Sequence, residues 1–118
     1  MEKDMTPLQV IIVRTNKGAW LTLHIIKASE VSPFTAEILA FDPSFNSQYS
    51  SLFSIAGSFS TAEGAFTAAL VRAVEFCNTR QHSVTHINNP CNCEFLPVNA
   101  QQAIVQQQGI QATVTVNA

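Results

Sequence analysis

Charge is what this chain has least of. Eight acidic and six basic side chains make up only 12% of 118 residues, for a formal net charge of −2. That fraction is about half of what a globular domain usually carries. Repulsion between molecules is therefore weak, and a monomer with so few charges would have a bland surface. The shortage points to a homo-oligomer, a dimer by preference, in which a second subunit covers part of each chain. It also bears on nucleic acid as a partner. Phosphate binding needs clustered positive charge, which a mildly acidic chain lacks.

Glycine is scarce as well. Four glycines leave no phosphate-cradling loop of the G-x-x-x-x-G-K or G-x-G-x-x-G kind. The stretch "AGSFS" sets Ser58 after Gly57 but lacks the second glycine of a nucleophile elbow. Paired acids are missing too: Glu30, Glu37 and Asp42 lie near the third predicted strand, and each reads as surface charge. No enzyme and no cofactor is expected. No apolar run approaches the ~20 residues of a membrane helix, so no membrane partner is expected. "MEKDMTPLQVIIV" opens with mixed charges and has too short an apolar run for a signal peptide. Three cysteines, an odd number, argue against a disulfide framework, and a cytoplasmic location follows as the expectation.

What is present reads as a single α+β domain over residues 1–118, with an antiparallel or mixed sheet of four or five strands packed on one main helix. "LQVIIVR" and "WLTLHIIK" form a hairpin, with Asn16 and Gly18 in "TNKGA" supplying the positive φ of a tight turn. Val10, Ile11, Ile12 and Val13 leave the first strand no wet face, which predicts a central strand covered on both sides. "FTAEILAF" is the third strand, "DPSFNSQYSS" a loop, and "LFSIAG" a short fourth strand. The main helix, about 61–78, starts from Ser60 as N-cap, with Glu63 completing a capping box. Ala62, Phe66, Ala69, Leu70, Ala73 and Cys77 share its buried stripe. "HSVTHI" is an edge strand or the fraying end of that helix, and "CEFLPV" another short strand. "AQQAIVQQQ" is a short second helix, capped by Asn99 and stopped by Gly109. "IQATVTV" alternates as a half-buried antiparallel C-terminal strand.

The corner "GSFSTAEGAFTAA" is similar to the strand-to-helix corner of DNA-binding domains in which a three-stranded sheet, packed on one helix, enters the major groove. The resemblance implies a helix set on a sheet at this corner. It does not carry the function here. Such sheets bristle with Arg and Trp, whereas Arg14, Lys17, Lys27 and Trp20 are offset by Glu30 and Glu37.

Three sets of candidate residues remain. The serine-aromatic loop and the Trp20 strand face suggest a ligand-binding site of Trp20, His24, Phe45, Tyr49 and Phe53, lining an apolar pocket with the 42–53 loop. Small residues on the outer helix side and the uncharged terminal strand suggest an interface of Gly64, Ala68, Val71, Ile110, Ala112, Val114 and Val116. The segment "HSVTHINNPCNCEF" offers His82, His86, Cys91 and Cys93, with Cys77 upstream. These types suit zinc, but C-x-C is not a zinc knuckle, and no metal is expected. If one binds, His86, Cys91, Cys93 and Cys77 would hold it. The reading favoured is a non-enzymatic interaction or accessory protein acting as a homo-oligomer through the uncharged segments 43–62 and 95–118. Its partner is another protein or a small molecule.

Overall fold

The hairpin forms where glycine permits it. Gly18 has φ of +82°, and the turn joins β1 (Gln9–Thr15) to β2 (Trp20–Lys27). The computed structural model describes residues 9–43, 49–90 and 96–116. The chain continues through β3 (Phe34–Asp42), β4 (Tyr49–Ser54), α1 (Ala62–Thr79), β5 (Val84–Asn89), α2 (Val98–Gln107) and β6 (Val114–Val116). The strands make one six-stranded sheet in the order β4-β3-β2-β1-β5-β6, antiparallel except for β5 and β6. This is an α+β domain with a mixed sheet, one strand larger than the sequence suggests.

Alternation decides which side of the sheet is buried. Ile11 and Val13, Leu21, Leu23 and Ile25, Ile38 and Ala40, and Ile87 all point to one face and are fully buried. The stripe Ala62, Ala65, Phe66, Ala69, Leu70, Ala73, Phe76 and Cys77 of α1 packs on that face, and Ile104 and Val105 of α2 extend the cover. Burying each large aliphatic side chain there contributes about 1.5–3 kcal/mol. The expected stripe of the main helix is thus the observed one.

Several local expectations are corrected. The N-cap of α1 is Thr61, whose Oγ1 accepts a hydrogen bond from Gly64 N at 3.0 Å. Ser60 stays exposed, because starting the helix one residue later turns Ala62 and Phe66 into the core. α2 begins at Val98 from an extended Pro97, not from Asn99. No side chain caps this helix; buried Gln101 instead ties its first turn to the preceding segment, donating from Nε2 to the Leu96 carbonyl at 2.8 Å. β4 starts at Tyr49 and ends at Ser54, earlier than the predicted strand. β5 is a strand and not a continuation of the helix; it lies between β1 and β6, although within "HSVTHI" only Ile87 pairs with β6 among the described residues. β6 is parallel to β5, since α2 crosses back between them, and it pairs over Val114–Val116 only. β1 is central but covered on one side: Val10 and Ile12 are only half-buried on the other. Of "CEFLPV", residues 93–95 lie outside the described residues, and the rest is not the predicted strand: Leu96 and Pro97 are in no strand and Val98 opens α2.

α1 ends in a Schellman motif built on a non-glycine residue. His82 N donates to Cys77 O at 2.8 Å and Gln81 N to Asn78 O at 3.2 Å. Gln81 takes φ of +61°, a left-handed conformation that costs a side-chain-bearing residue about 1–2 kcal/mol. That turn swings His82 back under the end of the sheet.

Candidate functional sites

Two features stand out: a buried polar cluster at one end of the core, and an open sheet face.

The cluster joins the ends of β1, β3 and α1. Thr15 ends β1, Asp42 ends β3, Arg80 caps α1, and His82 follows the Schellman turn. Asp42, read from the sequence as surface charge, is fully buried. Its Oδ2 lies 3.3 Å from His82 Nε2 and 3.6 Å from Arg80 Nη1. Arg80 in turn stacks on the Phe76 ring at 4.4 Å. On the other side of the imidazole, Thr15 Oγ1 is 2.8 Å from His82 Nδ1. The same oxygen accepts from Ala19 N at 3.1 Å and Lys17 N at 3.3 Å. Both lone pairs are thereby used, so the Thr15 hydroxyl donates to Nδ1 and the imidazole proton sits on Nε2, facing Asp42.

An acid, a histidine and a hydroxyl in a row invite comparison with a hydrolytic triad. The geometry argues otherwise. A nucleophilic hydroxyl must reach substrate and hand its proton to the base. Thr15 is buried, and its oxygen is occupied by two backbone donors. Nearby, Asn16 exchanges bonds with Ser83, N to O at 2.9 Å and Oδ1 from N at 3.0 Å, which locks the hairpin tip to the strand after the helix. The cluster is a latch that ties three element ends together. Sequence reading missed it because its members are far apart, Thr15 and His82 by 67 positions.

Cys77 lies beside this latch. Burial, with Asp42's negative charge adding to it, pushes the thiol from 9.0 up to about 11. It is therefore a protonated, unreactive core thiol at neutral pH. A groove of about 500 Å³ runs between the end of α1 and the turn after α2. Asn78, Ser83, Gln108 and Gln111 line it with uncharged polar groups over Val74 and Val84, the buried Cys77 and His82 form part of its wall, and no carboxylate is among these lining residues.

The open face is read from cross-strand register. One row runs Ser50–Phe41–Trp20–Arg14–His86, the next Leu52–Leu39–Thr22–Ile12–Asn88, and a third Ser54–Glu37–His24–Val10. No helix covers it among the described residues. Trp20, Leu39, Phe41 and Leu52 remain 46%, 44%, 38% and 58% exposed. The Arg14 guanidinium lies 4.9 Å from the Trp20 ring centre, and His24 Nδ1 is 3.2 Å from Glu37 Oε2.

Trp20 and His24 are therefore together on the open face. Phe53 is not with them: it pairs with Ile38 on the helix side and meets Phe76 at 5.9 Å. Phe45, Cys91 and Cys93 lie outside the described residues, as does the side chain of Tyr49. His86 is exposed on the open face while Cys77 is in the core on the other, so the sheet separates these two candidate ligands. No cluster of three or more possible metal ligands occurs among the described residues. Of the interface candidates, Val71 and Val116 are exposed and Gly64, Ala68 and Ile110 half-buried. Ala112 and Val114 are buried in their own chain's core.

No helix among the described residues is long and apolar enough to cross a membrane. Comparison of the chain with protein-family models, curated proteins and solved structures finds no match.

Proposed function

We propose that this is a non-enzymatic interaction or accessory protein that works in the cytoplasm as a homo-oligomer, with a dimer favoured. The observation that carries this reading is where the uncharged stretches lie. Residues 43–62 contain β4 and residues 95–118 contain β6, and these are the two edge strands of the sheet among the described residues. Natural edge strands are guarded by charge, especially lysine, or by proline. Neither β4 nor β6 has any such guard. The apolar open face then serves as the contact surface for a further protein. Four of the six basic side chains, Arg14, Lys27, Arg72 and Arg80, lie over aromatic rings, which leaves little clustered cation for phosphate.

Amide exchange by mass spectrometry, run at several protein concentrations, tests the reading. Backbone protection in β4 or β6 should rise with concentration. Protection at both edges that does not change over a hundredfold dilution series counts against it.

A small-ligand role has one feature in its favour, the exposed strip of Trp20, Phe41 and Arg14 on which a planar compound could stack. Saturable quenching of the single tryptophan by such compounds would support it.

A further inference from the structure

The homo-oligomer reading does not say which edge joins the copies; resting on that reading, we infer that two chains pair antiparallel along β4, with Leu52 on the two-fold axis, to form one continuous sheet.

Backbone direction along β4 is the starting point. Ile55 N donates inward to Ala36 O at 3.0 Å. Antiparallel alternation then turns Ser51 and Phe53 toward β3 as well, and points the N–H and C=O groups of Ser50, Leu52 and Ser54 outward. Among the described residues nothing pairs with that outer edge. Those three residues are symmetric about Leu52. A second copy centred there sets Leu52 against Leu52, and Ser50 against Ser54 of the second copy. Three facing pairs exchange about six backbone hydrogen bonds.

The side chains agree with the same register. On the open face two leucines meet between serines. On the helix side the small Ser51 faces the large Phe53 of the second copy, over which Arg72 lies 4.7 Å from the ring. No charge occurs between Asp42 and Glu63, so the paired strands themselves oppose no like charges, and the Arg72 beside the seam has Glu75 at 4.0 Å. A closed two-fold contact of this kind requires a self-complementary strand, and this one is. β6 competes poorly, since its described strand is the three residues Val114–Val116 and a β4-to-β6 contact would propagate as an open chain. A contact of one short strand pair is small, so association is expected to be reversible, in roughly the micromolar range.

Cross-linking in the full chain tests the register. Cys91→Ser and Cys93→Ser remove the other thiols, and the buried Cys77 is retained. In that background Leu52→Cys is expected to give a disulfide-linked dimer under mild oxidant, because facing residues of a hydrogen-bonded pair have Cα atoms about 5.5 Å apart. Ser50→Cys, equally accessible, is expected to give none, because its two copies would be roughly 14 Å apart. Separately, Leu52→Lys brings two ammonium groups face to face and is expected to weaken dimerisation roughly tenfold with unchanged circular dichroism. If both cysteine variants cross-link equally, or if the protein sediments as a dimer that Leu52→Lys leaves intact, the β4 contact is wrong and the homo-oligomer stands. A chain that sediments as a monomer throughout sinks both.

Discussion

Asp42→Ala tests whether the latch holds the core closed. The substitution removes the carboxylate that faces the Arg80 guanidinium at 3.6 Å and His82 Nε2 at 3.3 Å. Truncating one partner of a buried charge pair costs about 3–5 kcal/mol, because the other charge keeps its desolvation without its compensation. Arg80 keeps some contact with water, its side chain being 19% exposed, which places the expected loss near the lower end, about 3 kcal/mol. For a domain of this size, that lowers Tm by roughly 10–15 °C. Urea unfolding followed by circular dichroism should show a lower midpoint at an unchanged m-value. Thr15→Val provides the second corner of a cycle. It removes the hydroxyl that serves Nδ1, Lys17 N and Ala19 N, at a cost of about 1–3 kcal/mol. Both substitutions act through one imidazole, so the double variant should show a coupling of at least about 0.5 kcal/mol. A loss under 0.5 kcal/mol for Asp42→Ala, or strict additivity, refutes the latch.

Three smaller predictions follow from local geometry. Gln81→Gly should stabilise the protein by about 0.5–1 kcal/mol in the same urea assay, since glycine takes a left-handed φ without strain and the gain is trimmed by its looser unfolded chain. Thr61→Ala should cost about 1 kcal/mol through loss of the α1 cap, while Ser60→Ala should be silent. Cys77 should resist alkylation at pH 8 when Cys91 and Cys93 are replaced by serine, and react only on unfolding. Because its folded pKa is raised, the stability associated with the protonated thiol is complete below pH 9 and is lost as pH rises toward 11. Fast native-state labelling at pH 8 contradicts the burial.

The parts legible in the sequence were those set by local periodicity. The 3.6-residue stripe from Ala62 to Cys77 specified α1 and its buried side, and alternation in "WLTLHIIK" specified which residues of β2 share a face. Neighbouring hydroxyls at 60 and 61 are chemically equivalent caps, and only packing of Ala62 and Phe66 chose between them. The direction of β6 was hidden because alternation reports a buried face and says nothing of the partner strand's polarity. Asp42 looked like a surface acid for the same reason: its company, Arg80 and His82, comes from a distant helix end. The four-residue apolar run in β1 suggests two covered faces, yet it sits in the middle of a sheet that the described helices cover on one side only. The other side and the two unguarded edges bring the early shortage of charge into spatial focus.

Whether this chain associates with itself is the question on which the functional account turns. Multi-angle light scattering across a range from well below to well above micromolar concentration addresses it most directly. The account predicts a weight-average mass rising from the 12.8 kDa of one chain to twice that value. A mass that stays at 12.8 kDa up to millimolar protein would contradict it.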